Sequence, residues 1–109
     1  MDSWKILENA LLDFRKERDW EQFHNAKDLA LALSIEASEL NELFLWKKSE
    51  DANPEKVKQE LADVIGYAIL LANKYNFDIN EIVLEKIKLN AAKYPVEKAK
   101  GTAKKYDEL

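Results

Sequence analysis

The chain has no cysteine, which excludes disulfides and any thiolate metal centre. Glycine and proline are scarce, two of each, while Leu, Ala, Glu and Lys are abundant; this balance favours helix throughout. There is one histidine, too few for a carboxylate-bridged di-iron bundle, which draws Glu-x-x-His from two of its helices. No apolar run approaches membrane-spanning length and no signal-peptide pattern opens the sequence, so a soluble cytoplasmic protein with no membrane partner is expected. Basic residues are outnumbered by acidic ones, 17 to 21. A net charge of −4 argues against binding a nucleic-acid polymer, although free nucleotides, which bring their own metal, remain compatible with it.

The 109 residues present suffice for one domain with a real core. Two acidic pairs stand out, Glu36 with Glu39 and Glu60 with Asp63. Each has helical i,i+3 spacing, so its two carboxylates share one helix face. Each also sits in an apolar stretch, where a lone carboxylate is costly unless a cation or donor compensates it. At about 100° per residue, Leu29, Leu33, Leu40 and Leu43 fall in a wedge of roughly 80°, and Glu36 falls inside it, where a structural helix would carry leucine. Glu39 lies about 60° to one side, on a stripe with Ala32, Ile35 and Trp46. In the second stretch Val57, Leu61, Val64, Ala68 and Leu71 form the expected core stripe, flanked by Glu60, Asp63 and Tyr67. Packed together, two such helices bring four carboxylates to one cleft. The compensator that suits them is a hard divalent cation, Mg2+ with Mn2+ as a substitute.

Four helices are predicted. Ser3 caps a first helix to about Arg18, with Trp4, Leu7, Leu11 and Phe14 as its buried stripe. Asn25 caps a second to about Lys47. Asn53-Pro54-Glu55 starts a third, to about Tyr75, and Asp78 caps a fourth that ends before Pro95. Between the first two lies Trp20-Glu21-Gln22-Phe23-His24, an unusual mixture for a loop. Its rings suit stacking on a planar base, with Gln22 or His24 reading the base edge; they equally suit plugging the end of a bundle. Trp46 and Tyr67 lie beside the acidic faces as pocket walls or as ordinary core and interface residues. Glu42 reads as a solvated acid. Lys86, Asn90 and Lys93 recur at i, i+4 and i+7, a pattern shared by phosphate-binding stripes and solvated faces. The domain is expected to span residues 1–101, with 102–109 a fraying tail.

These residues resemble a known group. Phe14-Arg15-Lys16-Glu17-Arg18-Asp19-Trp20-Glu21-Gln22-Phe23-His24, then Glu36-x-x-Glu39-Leu40-x-Glu42-Leu43-Phe44-x-Trp46, then Glu60-Leu61-x-Asp63-Val64-x-x-Tyr67 are similar to the all-α MazG-like nucleotide pyrophosphohydrolases, and within them to the dCTP pyrophosphatase branch. Lys86-x-x-x-Asn90-x-x-Lys93-Tyr94-Pro95 is similar to the pattern at the end of that group's fourth helix. The resemblance implies Mg2+ ligands at Glu36, Glu39, Glu60 and Asp63. It implies base and sugar contacts from Trp20, Glu21, Gln22, Phe23, His24, Trp46 and Tyr67, and phosphate contacts from Lys86, Asn90, Lys93 and Tyr94. It also implies a homodimer or homotetramer of four-helix cores, with sites completed by a neighbouring subunit. One departure is Ile35, where many MazG proteins carry a further Glu; it leaves the dCTP-type branch untouched.

The expectation is therefore an all-α, four-helix enzyme. It would hydrolyse a nucleoside triphosphate, dCTP or a modified pyrimidine deoxynucleotide, to the monophosphate and diphosphate, and would serve to clean the nucleotide pool. The rival is a non-enzymatic, acidic helical oligomerisation module, for which no hydrolysis and no metal-linked rise in melting temperature are expected.

Overall fold

The structure, a computed structural model, describes residues 3–109, and among these every regular element is helical. The helices are α1 (Ser3–Glu17), α2 (Ala26–Glu42), α3 (Pro54–Lys74), α4 (Ile79–Lys93) and the single turn α5 (Val96–Ala99). Short 3-10 turns occupy Glu21–Phe23, Ser49–Asp51 and Tyr106–Glu108. The first two residues of the expected domain lie outside the described range. The chain divides into two compact units between Asn76 and Phe77.

Local chemistry sets the helix starts. The Asn25 side chain accepts from the Asp28 amide at 2.9 Å, and its Nδ2 donates back to the Asp28 carboxylate at 2.8 Å. Asn53 accepts from the amides of Glu55 and Lys56, with Pro54 at the first helical position. Asp78 accepts from the Glu81 amide. Ser3 differs from expectation: it is already inside α1 rather than capping it.

The helix ends are less regular. α1 closes with Asp19 at φ 55°, the Trp20 amide donating to the Arg15 carbonyl and the Asp19 amide to that of Lys16. This paired pattern satisfies the last carbonyls and needs a left-handed residue. It turns Trp20 back onto α1, edge-to-face with Phe14 at 5.7 Å. Replacing Asp19 by Gly should raise stability by up to about 1 kcal/mol, since glycine has no Cβ to strain there. Urea unfolding measures this; a fall would mean that the Asp19 contacts with Gln22 Nε2 outweigh the strain.

In the first unit α2 packs along α3, and α1 packs on α3. Leu29 is the most deeply buried side chain, at 1% exposure, joined by Trp4, Ala52, Ile69, Leu70 and Ala72. The α2 wedge is as expected: Leu33, Glu36, Leu40 and Leu43 are all shielded with Leu29. Two expected stripes are shifted. On α1 the buried face is Trp4, Glu8 and Arg15 with Leu11 and Leu12 beside it, while Leu7 and Phe14 remain half exposed. On α3 Val57, Val64, Ala68 and Leu71 of the expected stripe are shielded while Leu61 is exposed, and the deepest burial falls beside the stripe at Ile69, Leu70 and Ala72. α1 carries more apolar width than α3 covers, so Leu7 and Phe14 wall an open apolar groove of about 580 Å3 with Ala62, Ile65 and Ile69.

The second unit holds α4, α5 and the C-terminal residues. Past residue 101 the Tyr106 ring stands edge-on to Tyr94 at 6.2 Å, with Lys93 Nζ 5.0 Å from its centre. No helix among the described residues is long and apolar enough to cross a membrane.

Candidate active site

The acidic pairs meet. Carboxylate oxygens of Glu36 on α2 and of Glu60 and Asp63 on α3 lie within 4.8 Å of one another. Oε2 of Glu36 and Oε2 of Glu60 are both buried with no hydrogen-bond partner. Carboxylates brought this close must share either a proton or a cation. Without a cation the proton is held: burial first, and then the crowding of the Glu39, Glu60 and Asp63 carboxylates, together raise the Glu36 carboxyl to about 7. The donor set is all oxygen and anionic, with two buried oxygens left unsatisfied, so it fits a hard divalent cation. Glu39 stands beside Glu36 but outside the group of three.

Asp63 links this cluster to a cavity of about 150 Å3 between α1, the 21–24 loop and α3. Phe14, Arg15, Trp20, His24, Asp63, Gly66 and Tyr67 are among its lining residues. At Gly66 a Cβ would meet Leu11 Cδ2 at an ordinary van der Waals distance of 3.6 Å. His24 has its pKa lowered by burial first and then by the charges of Arg15 and Lys74, so the ring is neutral near pH 7. Its Nδ1 is buried without a partner. The Tyr67 hydroxyl is raised, by burial and then by the Glu36 and Asp63 carboxylates, and stays protonated as a donor.

Other expected site residues are placed elsewhere. Phe23 is exposed, and Gln22 turns its amide onto the carbonyl and carboxylate of Asp19. Glu21 is 3.6 Å from Arg15 Nη2. Trp46 does not reach the cavity of its own chain. The amides of Leu43, Phe44 and Leu45 bond three residues back, α2 tightens and stops at Glu42, and Trp46 follows at φ 61° and 93% exposed. The helical register that aligned it with Glu39 therefore ends before it. Lys86, Asn90 and Lys93 are exposed on α4 in the second unit, and Tyr94 faces Tyr106. Arg15 was not expected at the site. Its signal was spacing: with Trp4, Glu8 and Leu11 it follows a 4, 3, 4 step on one helix face.

An all-α chain with a carboxylate cluster at the mouth of an aromatic cavity is the setting for the comparisons with known proteins. The model of the MazG-like family matches residues 31–109, and the chain belongs to that family. It is 40% identical to dCTP pyrophosphatase 1 of Bos taurus and 39% identical to that of Homo sapiens, in each case over 89% of this chain and 62% of the relative. The chain thus spans under two thirds of the length of these relatives. Among solved structures it is similar to a pyrophosphatase from Archaeoglobus fulgidus, with a TM-score of 0.80, 33% identity, and coverage of 87% of this chain and 94% of that one.

Proposed function

We propose that this chain is a Mg2+-dependent nucleoside triphosphate pyrophosphohydrolase that converts a (d)NTP and water to the (d)NMP and diphosphate. The favoured substrate is dCTP or a modified pyrimidine deoxynucleotide, and the role is removal of such nucleotides from the pool. The observation that carries the reading is the pair of orphaned carboxylate oxygens on Glu36 and Glu60, adjoining an aromatic cavity through Asp63. The relatives named dCTP pyrophosphatase support the substrate class.

Glu36, Glu60 and Asp63 would hold the cation, with Glu39 alongside. When bound, the cation supplies the positive charge that lets a triphosphate approach a carboxylate cluster, and it acidifies water for attack. Glu39 orients that water or takes its proton. Trp20 offers a ring face to the base, neutral His24 reads its edge, and the Tyr67 hydroxyl donates to the substrate beside Asp63. Lys86, Asn90, Lys93 and Tyr94, which lie in the second unit, are assigned to the phosphates by the resemblance alone. The working form is a homodimer or homotetramer: Leu7, Leu61, Ile65 and Trp46 are apolar and exposed on the single chain, and a second copy would cover them.

The deciding experiment incubates the chain with a panel of ribo- and deoxynucleoside triphosphates and Mg2+, and resolves monophosphate plus diphosphate from diphosphate-nucleoside plus phosphate. Monophosphate and diphosphate from a pyrimidine deoxynucleotide are expected, with no turnover in excess chelator. Release of single phosphates, or no hydrolysis of any nucleotide, would overturn the reading.

A further inference from the structure

Arg15 is the most deeply buried charged side chain described, at 5% exposure. Its Nη1 is buried and has no hydrogen-bond partner, and its nearest acid, Glu21, is mostly in solvent with its oxygen 3.6 Å from Nη2. A guanidinium is always charged and carries five donors in a planar fork. Leaving such a group buried and unsatisfied is costly, so its persistence points to a partner that arrives with the ligand.

That partner must enter the cavity Arg15 lines. The cavity's volume of about 150 Å3 has room for one six-membered ring. Phe14, Trp20 and Tyr67 supply its aromatic surfaces. The carboxylate cluster adjoins it at Asp63 on α3, whereas Arg15 enters from α1. A ligand with its phosphates at the cluster and its ring in this cavity would place the ring among lining residues that include Arg15.

We propose that Arg15 is the specificity-determining residue for the base, donating two parallel hydrogen bonds to adjacent acceptors, O2 and N3, on a cytosine-type ring. The inference rests on the nucleotide reading above and sharpens it. A uracil-type ring carries a hydrogen on N3, so it would turn a donor toward the fork and lose one bond. A site built around a buried donor rejects a ligand that lacks the matching acceptor, because the donor is then left unpaired.

The test uses the full chain with Mg2+ and three triphosphates: dCTP, dUTP and 3-deaza-dCTP, in which a C–H replaces the N3 acceptor. The wild type should discriminate against both dUTP and 3-deaza-dCTP by about tenfold or more in kcat/KM, the scale of one lost directed hydrogen bond to a charged donor. Arg15→Met should raise KM for dCTP by about tenfold and bring the three substrates close together, with Arg15→Lys between the two. A wild type that treats dCTP and 3-deaza-dCTP alike would overturn the inference, and this comparison does not depend on any variant folding. A fall of equal size for all three substrates in Arg15→Met, matched by an equal loss of inorganic tripolyphosphate binding, would assign the guanidinium to phosphate and overturn it as well. A wild type that hydrolyses none of the three would instead remove the nucleotide reading itself.

Discussion

Glu36→Gln and Glu60→Gln should each lose most turnover, by roughly a hundredfold or more, while the helical far-UV spectrum stays unchanged. Even residues that only support metal ligands cost ten- to a hundredfold when changed, and these two carry the orphaned oxygens themselves. Asp63→Asn should follow them, because its carboxylate completes the cluster. Glu39→Gln is expected to lose turnover with a smaller change in metal affinity, since Glu39 stands outside the group of three. The distinguishing sign is stability. In metal-free buffer the Gln variants at positions 36 and 60 should melt at or above the wild-type temperature, because removing one of several crowded carboxylates relieves repulsion. Added Mg2+ should then stabilise the wild type and fail to stabilise the variants, since a ligand that binds only the native state raises its stability in proportion to ln(1 + [L]/Kd). Near wild-type turnover in any two of these variants at saturating Mg2+ would sink the metal-site assignment. So would variants that lose both activity and fold, which would make the acids ordinary structural groups.

The site was legible in sequence wherever it obeys helical periodicity. Glu36 stands in the leucine wedge of α2 and is shielded with it, and Asn25, Asn53 and Asp78 cap as their short side chains and positions require. Periodicity failed where a helix stops or where an apolar face is wider than its cover. Trp46 shares a wheel position with Glu39 only if α2 continues to it. The 3-10 tightening after Glu42 and a left-handed residue at 46 are settled by how the 43–53 connection returns to α3, which a wheel cannot see. On α1, six large apolar side chains compete for one buried face. The packing of α1 on α3 buries Glu8 and Arg15 while leaving Leu7 and Phe14 half open. A buried arginine is the choice that sequence reasoning is least prepared to make, because charged residues are expected outside unless paired. Its burial makes sense only together with the cavity, and the cavity exists only once α1, the 21–24 loop and α3 are assembled.

Metal affinity should fall steeply with acid in a pH range where ordinary carboxylates are already ionised. Glu36 is held up at about 7 in the metal-free chain, against 4.5 for an unperturbed Glu, so a cation must displace a proton there. The sign follows directly. Above pH 7 the carboxyl is ionised and affinity is flat; below it, apparent Kd should rise about tenfold per pH unit, with close to one proton released per cation bound. Titration calorimetry with Mn2+ in buffers of different ionisation enthalpy counts that proton. The folded state without metal shows the complementary trend. Since Glu36 binds its proton more tightly when folded, its contribution to stability is fully present below about pH 4.5 and is lost as pH rises through about 7, the reverse of a salt-bridged carboxylate. Glu36→Gln, which cannot titrate, should flatten this slope and remove the proton release. Metal binding to the wild type that is independent of pH between 5.5 and 7.5, with no proton released, would show that Glu36 is not displaced from its proton by the cation and is not a ligand.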